Sequence, residues 1–323
     1  SGALSKTTMA SATGPQSPLR EVHGRMFNSQ NSQYTLPSDQ TEYERLDKQH
    51  LMHKLALGAL YYPIDLVQAA LEPVDGEEKA IMDLGTGSGI WAVEMAVAFP
   101  NAQVVGFDLA PQMNRPRPPN CHFEQGDFTQ GLGRFAGQFD VVHARSVNQG
   151  MKNHVIYMHE LALLLKPGGV LLMIDGYLSF TDTAYRNVNP VPEGTPGHSY
   201  VVNLLASAGV AMKARGGQPE SAVLQRGWVD GCGLFENVGS RVVYTPIGAW
   251  YSGPDPNSRR LNTIGATMRD NLLSFTGAIR PMLISHGLDP ARVDYEIAKA
   301  AEEVRSGNKR YYTQWHYCWA TKK

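Results

Sequence analysis

The chain has 323 residues, 42% of them apolar and 18% charged, a balance that supports a sizeable core and excludes global disorder. Its 29 Lys and Arg nearly cancel its 30 Asp and Glu, which argues against the broad basic face that nucleic-acid enzymes use to displace counterions. Cys121, Cys232 and Cys318 stand far apart with no CxxC spacing, so neither a disulfide framework nor a metal site is expected.

Residues 1–38 are rich in Ser, Thr, Gln, Asn, Gly and Pro and read as a flexible tail that cannot bury enough surface to order itself. Residues 39–75 read as a helical cap. Asp39, with Glu42 three residues on, has the form of an N-cap and its capping-box partner; Leu46, Leu51, Met52, Leu55 and Leu57 give helix 40–58 an apolar stripe, and a second helix is expected at 63–71. At Ala80 the period changes. Ala80-Ile81-Met82-Asp83-Leu84 is a short buried strand, and Ile90, Trp91, Val93, Met95, Ala96 and Phe99 fall at helical spacing. Strands are expected at 103–107, 121–123, 139–144 and 170–175, with a helix at 155–165. Such alternation implies right-handed crossovers and a parallel sheet covered on both faces. The expected fold is a doubly wound, mostly parallel seven-stranded α/β sheet.

Beyond residue 176 the rhythm breaks. A loop at 187–198 leads to helices at 200–213, 220–229, 262–285 and 292–305, with strands at 241–244 and 311–320. In residues 177–323 the inserted helices are expected to roof the ligand crevice as a lid. No stretch reaches the roughly 18 apolar residues of a membrane helix, so the expected setting is the cytoplasm, or the nucleus for a regulator.

The chemistry concentrates at Asp83-Leu84-Gly85-Thr86-Gly87-Ser88-Gly89, between strand and helix. Glycines let the chain turn tightly and let a ligand approach the backbone, against the free N–H groups of a helix start. Asp108, about 20 residues on at the end of the second strand, is placed to accept ribose hydroxyls. Dinucleotide sites favour G-x-G-x-x-G, which leaves an NAD-linked oxidoreductase as the weaker alternative. G-x-G-x-G led by an acid resembles motif I of class I methyltransferases, so 76–176 is read as the cofactor-binding core.

A closer resemblance covers residues 34–175. Tyr34-Thr35-Leu36-Pro37-Ser38-Asp39, Arg45-Leu46-Asp47-Lys48-Gln49-His50, the run from Asp83 to Trp91, Pro119-Asn120-Cys121-His122-Phe123, and Phe139 to Arg145 are similar to the fungal LaeA-like group of methyltransferases. The resemblance implies S-adenosylmethionine as cofactor, with no metal. Asp83, Gly85, Thr86, Gly87 and Gly89 would lie along its methionine portion, Asp108 and Leu109 at the ribose, and Asp127 and Phe128 beside the adenine. His143 belongs to the same set, and Arg45, Gln49 and His50 to a helix closing over the methionine end. The group's Lys-Asp-Trp after the fourth strand is Lys152-Asn153-His154 here. That makes His154, with His143, a candidate general base. Plant phenol methyltransferases carry a catalytic histidine in this loop, at the place of Gln149 in a rough alignment.

Methyl transfer from a sulfonium rests mainly on alignment of nucleophile and methyl. Tyr185, Tyr200, Trp228, Trp250, Met268 and Phe275 are the candidates for lining an acceptor pocket, although such side chains also fill ordinary cores. The expected partner is a small-molecule acceptor, a phenol or carboxylic acid, or in a variant an amine, with no nucleic acid and no membrane. The resemblance also admits a regulator acting through a protein partner, with the polar tail folding on it; a homodimer is open too.

Overall fold

The computed structural model describes residues 17–31, 34–111, 115–148 and 151–323. Its first elements correct the tail expectation. β1 (Leu19–Val22) and β2 (Arg25–Asn28) form an antiparallel hairpin. His23 and Gly24 between them both have positive φ, 49° and 78°, the backbone that two-residue hairpin turns require. The hairpin is ordered because it docks: Arg25 donates to both Asp39 carboxylate oxygens at 2.6 and 2.8 Å, and the Ser38 amide donates to the Met26 carbonyl at 2.7 Å. Residues 1–16, most of the expected tail, lie outside the described residues.

α1 (Gln40–Leu57) starts where expected, with Asp39 accepting from the Glu42 amide and Gly58 closing the end in the left-handed region. The capping box is only half made, because the Glu42 carboxylate turns to Arg45. α2 (Ile64–Ala70) follows. The sheet is then laid down by β3 (Lys79–Leu84), α3 (Ile90–Ala98), β4 (Ala102–Asp108), β5 (Cys121–Gln125), β6 (Phe139–Arg145), α4 (His154–Leu164) and β7 (Leu165–Thr181). The short β8 (Asn187–Val188) pairs with β7. After α5 (Tyr200–Ala214) and α6 (Ser221–Gly231) come β9 (Phe235–Pro246), α7 (Pro256–Ala278), α8 (Arg280–Ser285), α9 (Pro290–Ser306) and β10 (Tyr312–Lys322).

The strand order is β5-β4-β3-β6-β7-β10-β9. β3 to β7 are parallel and β10 runs antiparallel between β7 and β9. The fold is thus the expected doubly wound α/β sheet, seven strands on the main path with the two-residue β8 as an eighth. The order reverses between β3 and β6, which is where an open α/β sheet binds ligands.

One face is covered by α4 and α6 over Met82, Leu84, Val142, Leu171 and Met173; the other by α2 and α3 over Ile81, Val104, Val141 and Leu172. A third core joins α1, α5, α7, α8 and α9 beyond the β7 and β10 ends. This is the helical roof. α6 is the exception among the insertions, since it packs on β7, β9 and β10 as an ordinary sheet-covering helix.

Candidate active site

The loop at 85–89 leaves β3 at the switch point. Gly85, Gly87 and Gly89 all have positive φ, and a Cβ on Gly85 would stand 2.5 Å from Val147 Cγ2, so the tight turn cannot be built with side chains. Asp83 is buried beneath it: one oxygen accepts from Thr86 Oγ1 at 2.6 Å and the other lies 2.7 Å from His143 Nδ1. His143 is stacked on Trp91, ring centroids 3.8 Å apart. Burial lowers the His143 pKa and Asp83 only partly restores it, so the ring is neutral and donates from Nδ1. At 1% exposure, it is a brace for Asp83 beneath the loop.

Asp108 ends β4 and faces the same loop. Its oxygens accept from the Gly87 amide at 2.8 Å and the Ala110 amide at 3.0 Å. Burial raises its pKa, with those amides pulling the other way. A carboxylate accepts more than two hydrogen bonds, so lone pairs remain for a vicinal diol. Leu109 follows at the cleft's edge, half-buried. Asp127 caps a short helical turn, accepting from Thr129, and also accepts from Asn31 Nδ2 at 3.1 Å. Phe128 is buried in the core beside Tyr157.

α1 is fastened across the loop. Arg115 donates to Asp47 of α1 at 2.6 Å and to the Ser88 carbonyl at 3.2 Å, and Lys54 and His50 both reach Glu94 of α3. Burial first, and Arg145 next, push His50 down to about 4. His50 therefore serves this fastening as a neutral ring. Arg45 is buried, paired with Glu42 at 2.6 Å and donating to Asn271 Oδ1 at 3.0 Å, with Phe275 under its guanidinium.

Arg45 and Gln49 open on a narrow cavity of about 80 Å³, whose walls include Ser146, Met268, Asn271, Phe275 and Trp315. Of the six pocket candidates, only Met268 and Phe275 line it. Trp228 lies on α6 against the sheet core, Trp250 packs beside Tyr251 and Tyr312, Tyr185 sits with Tyr244 and Tyr312, and Tyr200 hydrogen-bonds Glu193 at the surface. Large aromatic side chains filled structural gaps here because those gaps offered the most apolar area. His154 is stacked on Trp228 at 5.0 Å and does not line this cavity, and Gln149 lies outside the described residues. Sequence reasoning missed Ser146 and Asn271. Ser146, with φ 58° directly after β6, holds a strained backbone at the cavity wall; Asn271 is a buried polar residue on the same helical stripe as Met268 and Phe275, and that spacing was its one signal.

The nucleoside half of S-adenosylmethionine would meet a tight glycine turn, on which Leu46 of α1 is seated at Gly87, and at Asp108 a carboxylate with lone pairs to spare. Residues 52–202 match the family model described as a methyltransferase domain. The chain is 29% identical over 305 residues to the secondary metabolism regulator laeA of Coprinopsis cinerea, covering 93% of this chain and 73% of that protein. It is 29% identical to methyltransferase str3 of Strobilurus tenacellus, covering 76% and 80%, and 28% identical to methyltransferase pytC of Aspergillus terreus, covering 82% and 76%. With the sheet order and the loop, these matches define a class I S-adenosylmethionine-dependent methyltransferase. Among the relatives the chain is similar to are the LaeA-like proteins. Among the described residues no cluster of three or more His, Cys, Asp or Glu could hold a metal ion, and no helix is long and apolar enough to cross a membrane.

Proposed function

We propose that this methyltransferase acts on an oxygen of a small molecule in secondary metabolism, a phenol or a carboxylic acid. The observation that carries the reading is the chemistry of the narrow cavity: Arg45, Gln49, Asn271 and Ser146 set N–H and O–H donors in a wall of Leu36, Phe275 and Trp315. Donors hold an oxygen's spare lone pairs, which an ammonium nitrogen does not have. S-adenosylmethionine, when bound, supplies both the methyl carbon and its leaving group. The protein's task is then alignment, which can supply about 7–11 kcal/mol, against the roughly 10²–10⁴-fold a general base adds. Among the described lining residues there is no His, Asp or Glu, which suits a carboxylate, ionised before it binds, better than a phenol, which must first shed a proton.

The test is incubation of the pure protein with S-adenosylmethionine and a panel of phenols, carboxylic acids and amines, with products read by fragmentation mass spectrometry. Methyl ethers or esters are expected. Exclusive N-methylation, or no O-methyl product while S-adenosylhomocysteine binds, would overturn the reading.

The 29% identity to a named regulator over 93% of this chain favours a second reading, a nuclear protein that uses the same cofactor and works through partners. Affinity capture that recovers no stoichiometric partner would remove it.

A further inference from the structure

A second, wider cavity of about 460 Å³ opens on the other side of the segment that crosses the site. Leu36 lines the narrow cavity, while Tyr34 and Thr35 line this one. Its size falls in the range of small-molecule pockets. Arg20 of β1, Lys152 before α4 and Arg215 after α5 come to it from three distant parts of the chain, and no Asp or Glu is among its described lining residues. The rest of the wall is Val22, Phe27, Pro281, Met282 and Ser285. Lys152 lies along the 215–216 turn, where a Cβ on Gly216 would meet its Cε at 3.0 Å, so two of the cations share one corner.

None of the three side chains makes a hydrogen bond or ion pair among the described residues. Neighbouring cations are treated differently: Arg25 is held by Asp39, and Lys213 by Glu220. Arg20 and Lys152 are exposed and Arg215 is half-buried, so one concave wall presents three cations to solvent in a chain whose net charge is −1. A concave surface lined by one sign concentrates the opposite ion, and guanidinium forks match carboxylates and phosphates. Burial holds the Tyr34 hydroxyl protonated, with Glu42 and Asp108 adding to the effect. Tyr34 therefore stands both in this cavity's wall and in the field of the ribose-side carboxylate.

We infer that the methyl acceptor carries an anionic group, separate from the oxygen that is methylated, which docks on Arg20, Lys152 and Arg215 with its apolar body against Phe27 and Met282. This rests on the small-molecule reading above and narrows it to acidic acceptors. A carboxylate engaged by these cations is a handle, because its lone pairs are committed to N–H donors.

The test is calorimetry on the full chain saturated with S-adenosylhomocysteine, using benzoate, 2-naphthoate and salicylate against the matching amides. At least one acid is expected to bind ten times or more tighter than its amide, and the preference should shrink with added salt. Lys152→Gln combined with Arg215→Gln should abolish it, while the S-adenosylhomocysteine affinity and the melting temperature stay at wild-type values. Equal affinity for acids and amides, no binding of either, or a preference that survives both substitutions would overturn the inference. The two readings fail separately. Methyl transfer to neutral phenols without any acid preference removes the anion dock alone, whereas an acid preference without methyl transfer to any small molecule removes the small-molecule reading.

Discussion

Asp108 shows how much one side chain is asked to do. It holds the glycine loop through the Gly87 amide and its own turn through the Ala110 amide, at the carboxyl end of β4. Replacement by Ala removes two charge-assisted bonds to a bound ribose, so S-adenosylhomocysteine binding should weaken by about 2–3 kcal/mol; calorimetry giving an unchanged dissociation constant would place the ribose elsewhere. This residue was legible from sequence because its cue is local, an acid at the end of the strand that follows a glycine turn. Asn271 was not, since it meets Arg45 from 226 positions away and only the packing of α7 against α1 brings them together. The contact of His143 with Asp83 beneath the loop was not legible, because no pattern of spacing shows that Trp91 will cover its ring.

At the scale of elements, the junction of the hairpin and α1 turns on Asp39. The same carboxylate caps the helix through the Glu42 amide and clamps Arg25, whose side chain and its own are about one-fifth exposed, 21% and 18%. Asp39→Ala should therefore cost about 1–2 kcal/mol in denaturant unfolding, and Asp39→Asn, which keeps an acceptor for the cap, clearly less. If both lose the same amount, the clamp and not the cap dominates. The helix start was readable as an aspartate followed by a helical stripe. The hairpin was not, because the polar composition around it resembles that of a tail; the overlooked signal was the His23-Gly24 pair, a turn in two residues. α6 was misjudged for a related reason: a helix looks the same in sequence whether it roofs a cleft or covers a sheet, and only the arrival of β9 and β10 beneath it decides.

The whole molecule carries a pH dependence written by its buried groups. Asp175 on β7 is fully buried, with the Ser221 hydroxyl donating to it at 2.8 Å, and burial pushes its pKa up to about 7. Tyr157 of α4, itself buried and held protonated, stands close enough to feel its charge. A carboxyl raised in the folded state above its unfolded value of about 3.9 contributes stability that is fully present below that value, is lost progressively as the pH rises to about 7, and changes no further above it. His50, His53 and His143 work in the opposite sense: burial lowers each below its usual range, so their contribution is present above about 6.5 and is lost as the pH falls below it. The two effects therefore oppose each other below neutrality, and Asp175 softens the acid loss that the three histidines cause. Asp175→Asn should steepen the fall in melting temperature between pH 6.5 and 4.5; a mutant whose fall over that range runs parallel to the wild type would show that Asp175 does not titrate there.

The placement of β10 has a consequence for how the chain is assembled. Among the described residues β9 has no sheet partner except β10, which comes 66 positions after β9 ends, with three helices in between. A ribosome therefore releases β9 well before anything exists for it to pair with, and two long loops must close in one event for the edge of the sheet to form. Early nucleation is left to β3, β4 and β6, whose pairings span shorter stretches, and the outer ribbon joins as a late, cooperative unit whose delay grows with the entropy of those loops.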